Sequence, residues 1–319
     1  MERMAARLER LAERYVPGSG TARIDALGSG LTNRSYRVRR NGQLFSLRIT
    51  APRARELGLD RGWECRVLRC AAGADLAPAV ECCEPGAGVL VTRWAEGRSW
   101  TVEEASSPEN IRKVALLARR VHALPPLDHP RSVSPGQWIA YYRRALHRRG
   151  GDKAFQGRQR ALGGFEGIAQ SLIEVLSEEP SASPALCHSD LHVQNLLIDS
   201  GGAPVILDWE YAHISDPWWD LAGWACNGDL TAERGELLLR DYLGREPTPA
   251  QAGRLRRLAW LYDYVCLLWS ELYLSSRLSS RSDGGEAGRD PPRGAAGDAA
   301  GDAVRARAER LADRLQPDP

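Results

Sequence analysis

The stretch Leu186-Cys187-His188-Ser189-Asp190-Leu191-His192-Val193-Gln194-Asn195-Leu196-Leu197-Ile198, followed closely by Val205-Ile206-Leu207-Asp208-Trp209-Glu210-Tyr211, decides how this chain folds. The apolar runs after Asn195 and before Asp208 read as two short strands. Folded on each other as a hairpin, they bring Asn195 beside Asp208, with Asp190 just upstream. An Asp, an Asn five residues on, and a second Asp after a short strand form the set that phosphoryl transfer requires. One carboxylate takes the proton of the acceptor hydroxyl, while an amide oxygen and a second carboxylate hold Mg²⁺ against the phosphates of ATP.

This reading makes Asp190 the candidate catalytic base and Asn195 and Asp208 the candidate metal ligands. Glu210 is a further candidate ligand, and an ordinary structural role weighs about equally for it. His188 is expected to buttress the loop. Asp220, in Asp216-Pro217-Trp218-Trp219-Asp220-Leu221-Ala222, is expected to start a helix and point back to hydrogen-bond the loop. Core packing is the ordinary expectation for at least one of Trp218 and Trp219.

Upstream, Arg34–Arg40 and Gln43–Ile49 are strand-like runs joined by Asn41-Gly42, a strong type I′ hairpin signal. A Gly-containing turn, Leu27 to Asn33, precedes them. Arg53 to Gly73 reads as a helix containing Glu64, and Val80–Cys83 and Val89–Trp94 as two more strands. Met1 to Tyr15 reads as an amphipathic helix. After Ala95-Glu96-Gly97, a candidate hinge, the pattern turns helical: Glu109–Leu124, Trp138–Arg149, Ala161–Ser177, Pro217–Cys226, Ala232–Leu243 and Thr248–Ser275. The expected organisation is a nucleotide-binding lobe over 1–97, a helical lobe with the catalytic and substrate site over 98–278, and a mostly disordered tail over 279–319. From Ser276 to Ala300 the chain has almost nothing to bury. Val304, Ala308, Leu311 and Leu315 then repeat at the spacing of a weak terminal helix.

Composition narrows the partners. The 319 residues carry a net charge of +2, so no nucleic-acid surface is expected. The most apolar stretch, Leu258 to Leu274, is interrupted by Asp263 and Glu271, and no membrane span is expected. Seven cysteines, odd in number and without Cys-x-x-Cys spacing, suggest unpaired thiols in a reducing, cytoplasmic compartment. Oligomeric state is left open.

Several motifs in order resemble the aminoglycoside phosphotransferase and choline kinase superfamily, most closely its choline, ethanolamine and thiamine kinase-type branch. They are Leu31-Thr32-Asn33-Arg34-Ser35-Tyr36, the Asp190 and Asn195 pair, Asp208-Trp209-Glu210-Tyr211-Ala212 and Asp220-Leu221-Ala222, spanning roughly Gly28 to Ser275. The resemblance implies an α+β, protein-kinase-like bilobal fold with an antiparallel-sheet N-lobe and a mainly helical C-lobe. It implies that Ser29, Thr32 and Asn33 lie over the ATP phosphates, that Arg48 stands where protein kinases carry a phosphate-binding Lys, and that Glu64 pairs with Arg48. Adenine is expected at the hinge backbone from Thr92 through Trp94 to Ala95, under Leu197 and Leu207. The expected activity is transfer of the ATP γ-phosphate to a small cationic alcohol, choline, ethanolamine or thiamine; an aminoglycoside kinase and a non-catalytic nucleotide-binding pseudokinase are the alternatives. Trp260, Tyr264, Asp263 and Trp269, on the aromatic helix from Leu255 to Tyr273, are the candidates for enclosing the cation, although core packing suffices for most of those rings.

Overall fold

In a computed structural model of the protein, residues 2–29, 31–51, 54, 56–149, 162–179, 183–282 and 295–316 are described. The N-terminal half is a five-stranded antiparallel sheet in the order β1-β2-β3-β5-β4, built from β1 (Arg23–Ser29), β2 (Asn33–Arg40), β3 (Gln43–Thr50), β4 (Val80–Glu84) and β5 (Val89–Arg93). Asn41 and Gly42 both take positive φ, 49° and 75°, so a two-residue loop pairs Arg40 with Gln43 and sets the register of β2 on β3. That register buries Val38, Phe45 and Leu47 with Val91 of β5. The first helix, α1 (Glu2–Tyr15), adds Ala12, and Val16 just beyond it joins the same cluster. Its last carbonyls, with no helical partner of their own, are met by Arg40, whose Nη1 donates to Ala12 O at 3.0 Å and Val16 O at 2.7 Å.

Helix α2 (Arg61–Gly73) begins eight residues after the expected Arg53. Gly58, at φ 82°, breaks the run, and Asp60 caps the helix by accepting from Trp63 N at 3.0 Å. After β5 the chain crosses to the helical half. A Cβ on Gly97 would stand 2.7 Å from Ile198 O, so only glycine lets this crossing lie against the motif hairpin. Arg98 and Ile198 then exchange backbone hydrogen bonds of 3.1 and 2.9 Å.

The second half contains α3 (Val102–Ala105), α4 (Pro108–His122), α5 (Pro135–His147), α6 (Glu166–Glu178), α7 (Trp218–Asn227), α8 (Ala232–Leu243), α9 (Pro249–Ser282) and α10 (Ala295–Arg314). Ser107 and Ser134 cap α4 and α5, each followed by proline at the first helical position. Two short antiparallel pairs carry the motifs: β6 (Ala185–Cys187) with β9 (His213–Ser215), and β7 (Leu196–Ile198) with β8 (Pro204–Ile206).

Two expectations need correction. The tail is mostly helical over its described part: α9 continues to Ser282, α10 buries Val304, Ala308 and Leu311 in the main core, and Leu315 just beyond it joins them. Four apolar residues at helical spacing were enough to dock a segment otherwise rich in alanine and charge. Residues 283–294, also expected to be disordered, lie outside the described residues. The second correction concerns the thiols. Cys65 of α2 and Cys83 of β4 form a disulfide, with Cα atoms 6.1 Å apart, and five cysteines remain free. Strand alternation turns Cys83 towards α2 while Cys82 packs on the opposite cluster. Among the described residues, no helix is long and apolar enough to cross a membrane.

Candidate active site

The loop that follows β6 is held from behind. Asp220, 1% exposed in the first turn of α7, accepts from the backbone N–H of His188 at 2.8 Å and of Ser189 at 2.6 Å. Ser189 sits at φ 68°, and its turn presents Asp190 to a cleft of about 670 Å³ between the sheet and the helices. Burial opposes ionisation of Asp220, but its contact with His122 and the backbone N–H of Ser189 outweigh it and hold its carboxyl below the usual range. His122, on α4, places Nε2 3.1 Å from Asp220 Oδ2 and Nδ1 2.9 Å from the Tyr242 hydroxyl. His188 is fully buried; its Nδ1 accepts from Asp190 N at 3.3 Å and its Nε2 lies 2.9 Å from Leu207 O. Burial lowers its pKa, so the ring is a neutral brace between the loop and the residue before Asp208.

Asp190, Asn195 and Asp208 all line the cleft. Asn195 donates through Nδ2 to Asp190 O at 2.9 Å and to Asp190 Oδ2 at 3.1 Å. Its amide oxygen accepts no hydrogen bond among the described residues, and so is available to a cation. Burial disfavours the Asp190 carboxylate, yet His192, at 3.6 Å, with Arg307 adding to it, keeps its pKa below the ordinary value. Asp190 is therefore ionised at neutral pH, as a base must be.

Asp208 adopts φ 56° at the start of the 3₁₀ turn Trp209–Tyr211 and accepts from Arg48 Nη1 at 2.8 Å. Burial and the neighbouring Glu210, against the pull of Arg48, push its carboxyl up to about 8. Carboxylate oxygens of Glu64, Asp208 and Glu210 lie within 4.8 Å of one another. Such crowding, beside the open amide oxygen of Asn195, fits a hard divalent cation such as Mg²⁺.

Glu210 itself is fully engaged. One oxygen accepts from Thr32 Oγ1 at 2.6 Å, and the other from Asn33 Nδ2 and Arg61 Nη1, both at 2.7 Å. Glu210 thereby ties the N-terminal turn, through Thr32 and Asn33, to the helical half. Arg61 also donates to Glu64 at 2.7 Å and to Asn33 Oδ1 at 2.8 Å. Glu64 pairs with Arg48 as well, and despite burial the two guanidiniums lower its pKa. Ser29 ends β1, and its side chain is outside the described residues. Thr92, Trp94, Leu197 and Leu207 line the other end of the cleft, where Gly97 also sits.

Of the four residues expected to enclose the acceptor, only Trp269 lines the cleft. Trp260 and Tyr264 meet Phe165 edge-to-face on the far side of α9, and Tyr264 donates to Leu162 O at 3.3 Å. Asp263 is bound by Arg314 at 2.6 Å. The lining face of α9 is Tyr262, Val265, Cys266 and Trp269, the i, i+3, i+4, i+7 set. Trp138, Tyr142, Tyr211 and Trp219 complete the aromatic wall, and Trp269 Nε1 donates to the Tyr211 hydroxyl at 2.6 Å.

A sheet-bearing half and a helical half, with this carboxylate and amide set between them, define a small-molecule phosphotransferase of protein-kinase-like fold. The profile of the phosphotransferase enzyme family matches residues 23–261, and the chain belongs to that family. No curated relative matches at the sequence level. Among solved structures, a choline/ethanolamine kinase family protein from Mesorhizobium loti is 26% identical with a TM-score of 0.67, over 98% of this chain and 95% of its own. Choline kinase LicA from Streptococcus pneumoniae is 17% identical with a TM-score of 0.68, over 98% and 99% of the two chains. A spectinomycin phosphotransferase in complex with ADP and spectinomycin is 13% identical with a TM-score of 0.61, over 98% and 94%. The last two bear on the fold alone.

Proposed function

We propose that the protein transfers the γ-phosphate of ATP to the hydroxyl of a small alcohol whose body lies against the aromatic wall, with Asp190 as base and Asn195 and Asp208 as the magnesium ligands. The observation that carries this is the convergence of those three side chains on one cleft, with Arg48 reaching Asp208 from the sheet. The adenine lies at the Thr92–Ala95 end, and Arg48 faces the phosphates. The acceptor hydroxyl hydrogen-bonds Asp190; as its oxygen attacks the γ-phosphorus, the proton passes to the carboxylate and ADP departs. Magnesium, when bound, neutralises charge on the phosphate oxygens. Asp220, His122 and His188 fix the loop and contribute position alone.

The rings of Trp138, Tyr142, Tyr211, Trp219, Tyr262 and Trp269 support an acceptor with a positive nitrogen, as choline, ethanolamine and thiamine have. A desolvated cation–π contact is worth about 2 kcal/mol. The aminoglycoside alternative has less support. Among the described residues the lining carboxylates are Glu64, Asp190, Asp208 and Glu210, all claimed by the transfer chemistry or by arginines, which leaves none for a polyamine. A coupled ATP-consumption assay with choline, ethanolamine, thiamine and kanamycin tests the reading. Turnover that disappears in Asp190→Ala supports it; equal turnover in the variant refutes it.

A further inference from the structure

The aromatic wall does not close the acceptor end by itself. Arg307, on α10, also lines the cleft. Its Nη2 donates to Asn227 Oδ1 at 3.0 Å and approaches Cys266 Sγ at 3.5 Å. Cys266 lies one turn from both Tyr262 and Trp269 on the lining face of α9, so the guanidinium stands among the rings rather than at the adenine end. The placement is built. Arg314, further along the same helix, is anchored to Asp263 at 2.6 Å and to Cys226 O at 3.1 Å, and Val304, Ala308 and Leu311 are buried. The two arginines differ in one respect: Arg314 has a carboxylate partner, and among the described residues Arg307 has none.

A guanidinium inside a cleft, half-buried and held by a neutral amide and a thiol, keeps donors that no carboxylate within hydrogen-bond reach takes up, although Asp190 and Asp263 feel its charge. Its planar fork suits an oxyanion. A bare quaternary ammonium among the same rings would meet like charge. We propose that Arg307 is a specificity-determining residue that binds an anionic group on the acceptor. The substrate class is then a hydroxy compound bearing a carboxylate or phosphate, with any positive nitrogen against the rings and the hydroxyl at Asp190. This rests on the phosphotransfer reading above and narrows its acceptor. The phosphoryl group in transfer offers the same oxyanion chemistry, so the test separates the two sources.

The experiment uses the full chain with Mg-ATP and three pairs of alcohols, one member of each bearing a carboxylate: ethanolamine and serine, 3-aminopropanol and homoserine, and choline and carnitine, the last of which adds a carboxymethyl group and makes the alcohol secondary. The wild type is expected to favour the acid-bearing member of at least one pair in kcat/KM. Arg307→Gln is expected to reduce that preference about 100-fold, chiefly through KM, with Arg307→Lys recovering part of it. An equal fall in kcat for both members would overturn the proposal in favour of a contact to the phosphoryl group. Preference for the acid-free members, unchanged or improved in Arg307→Gln, would overturn it while leaving phosphotransfer standing. If no alcohol supports ATP consumption, the phosphotransfer reading itself fails. The anion site is then judged by thermal stabilisation with serine, homoserine and carnitine, where the absence of a shift that depends on Arg307 overturns it.

Discussion

His122 Nε2 lies 3.1 Å from Asp220 Oδ2, and the same carboxylate receives two backbone N–H groups of the loop that presents Asp190. A histidine on α4 thus fixes the position of the catalytic loop without touching the cleft. Asp220→Ala leaves two buried donors and His122 without their acceptor. The unfolding free energy, measured in urea, is expected to fall by about 3–5 kcal/mol, with Asp220→Asn costing less.

Asp190→Ala is expected to lower kcat by about 10²- to 10⁴-fold, the usual contribution of a positioned base. Mg-ATP affinity, measured by calorimetry, should change little, since the role proposed for Asp190 is towards the acceptor hydroxyl.

Asp208→Ala is expected to weaken Mg-ATP binding by more than about tenfold, following loss of a metal-binding carboxylate. Unaltered affinity would remove Asp208 from the metal site.

Stability should depend on pH through His213. It is 1% exposed, with Nδ1 2.8 Å from Tyr211 O, and burial lowers its pKa to about 4. The unfolded chain, with an ordinary histidine pKa near 6.5, binds the proton first as pH falls. The contribution is therefore fully present above about pH 6.5 and is lost on descending towards about pH 4, by about 3 kcal/mol in all. His188, shifted in the same direction, adds to the slope. Urea titrations at several pH values, with His213→Asn flattening the curve, check this.

Without reductant, five of the seven cysteines should react with an alkylating agent after denaturation, and all seven once Cys65–Cys83 is reduced. Mass spectrometry reads the count directly.

Removal of residues 295–319 would uncover the seats of Val304, Ala308, Leu311 and Leu315 in the core. The melting temperature is expected to fall by more than about 5 °C.

The motif pair made the hairpin, the cleft and the class of chemistry legible, because Asp190, Asn195 and Asp208 are close in sequence and their spacing has few structural meanings. The Asn41-Gly42 loop was legible for the same local reason. Arg61 and Arg307 were not. In a chain whose 43 basic residues are almost all arginine, nothing local marks the ones that become buried. The rings facing the cleft were missed in part because α9 is apolar nearly all round, so periodicity could not say which side meets solvent, core or substrate. The partners of His122 and Cys65 lie far along the chain or on a strand whose facing depends on register.

Arg48 and Arg61 stand against three carboxylates, Glu64, Asp208 and Glu210, and each arginine bridges two of them. Glu64 accepts from both, Glu210 from Arg61 and Asp208 from Arg48, so the residue left with the weakest hold is the one expected to greet the metal. The two arginines work as couplings between the sheet and the helices. Neutralising either would loosen the joint between the halves before any effect on phosphate recognition could be read.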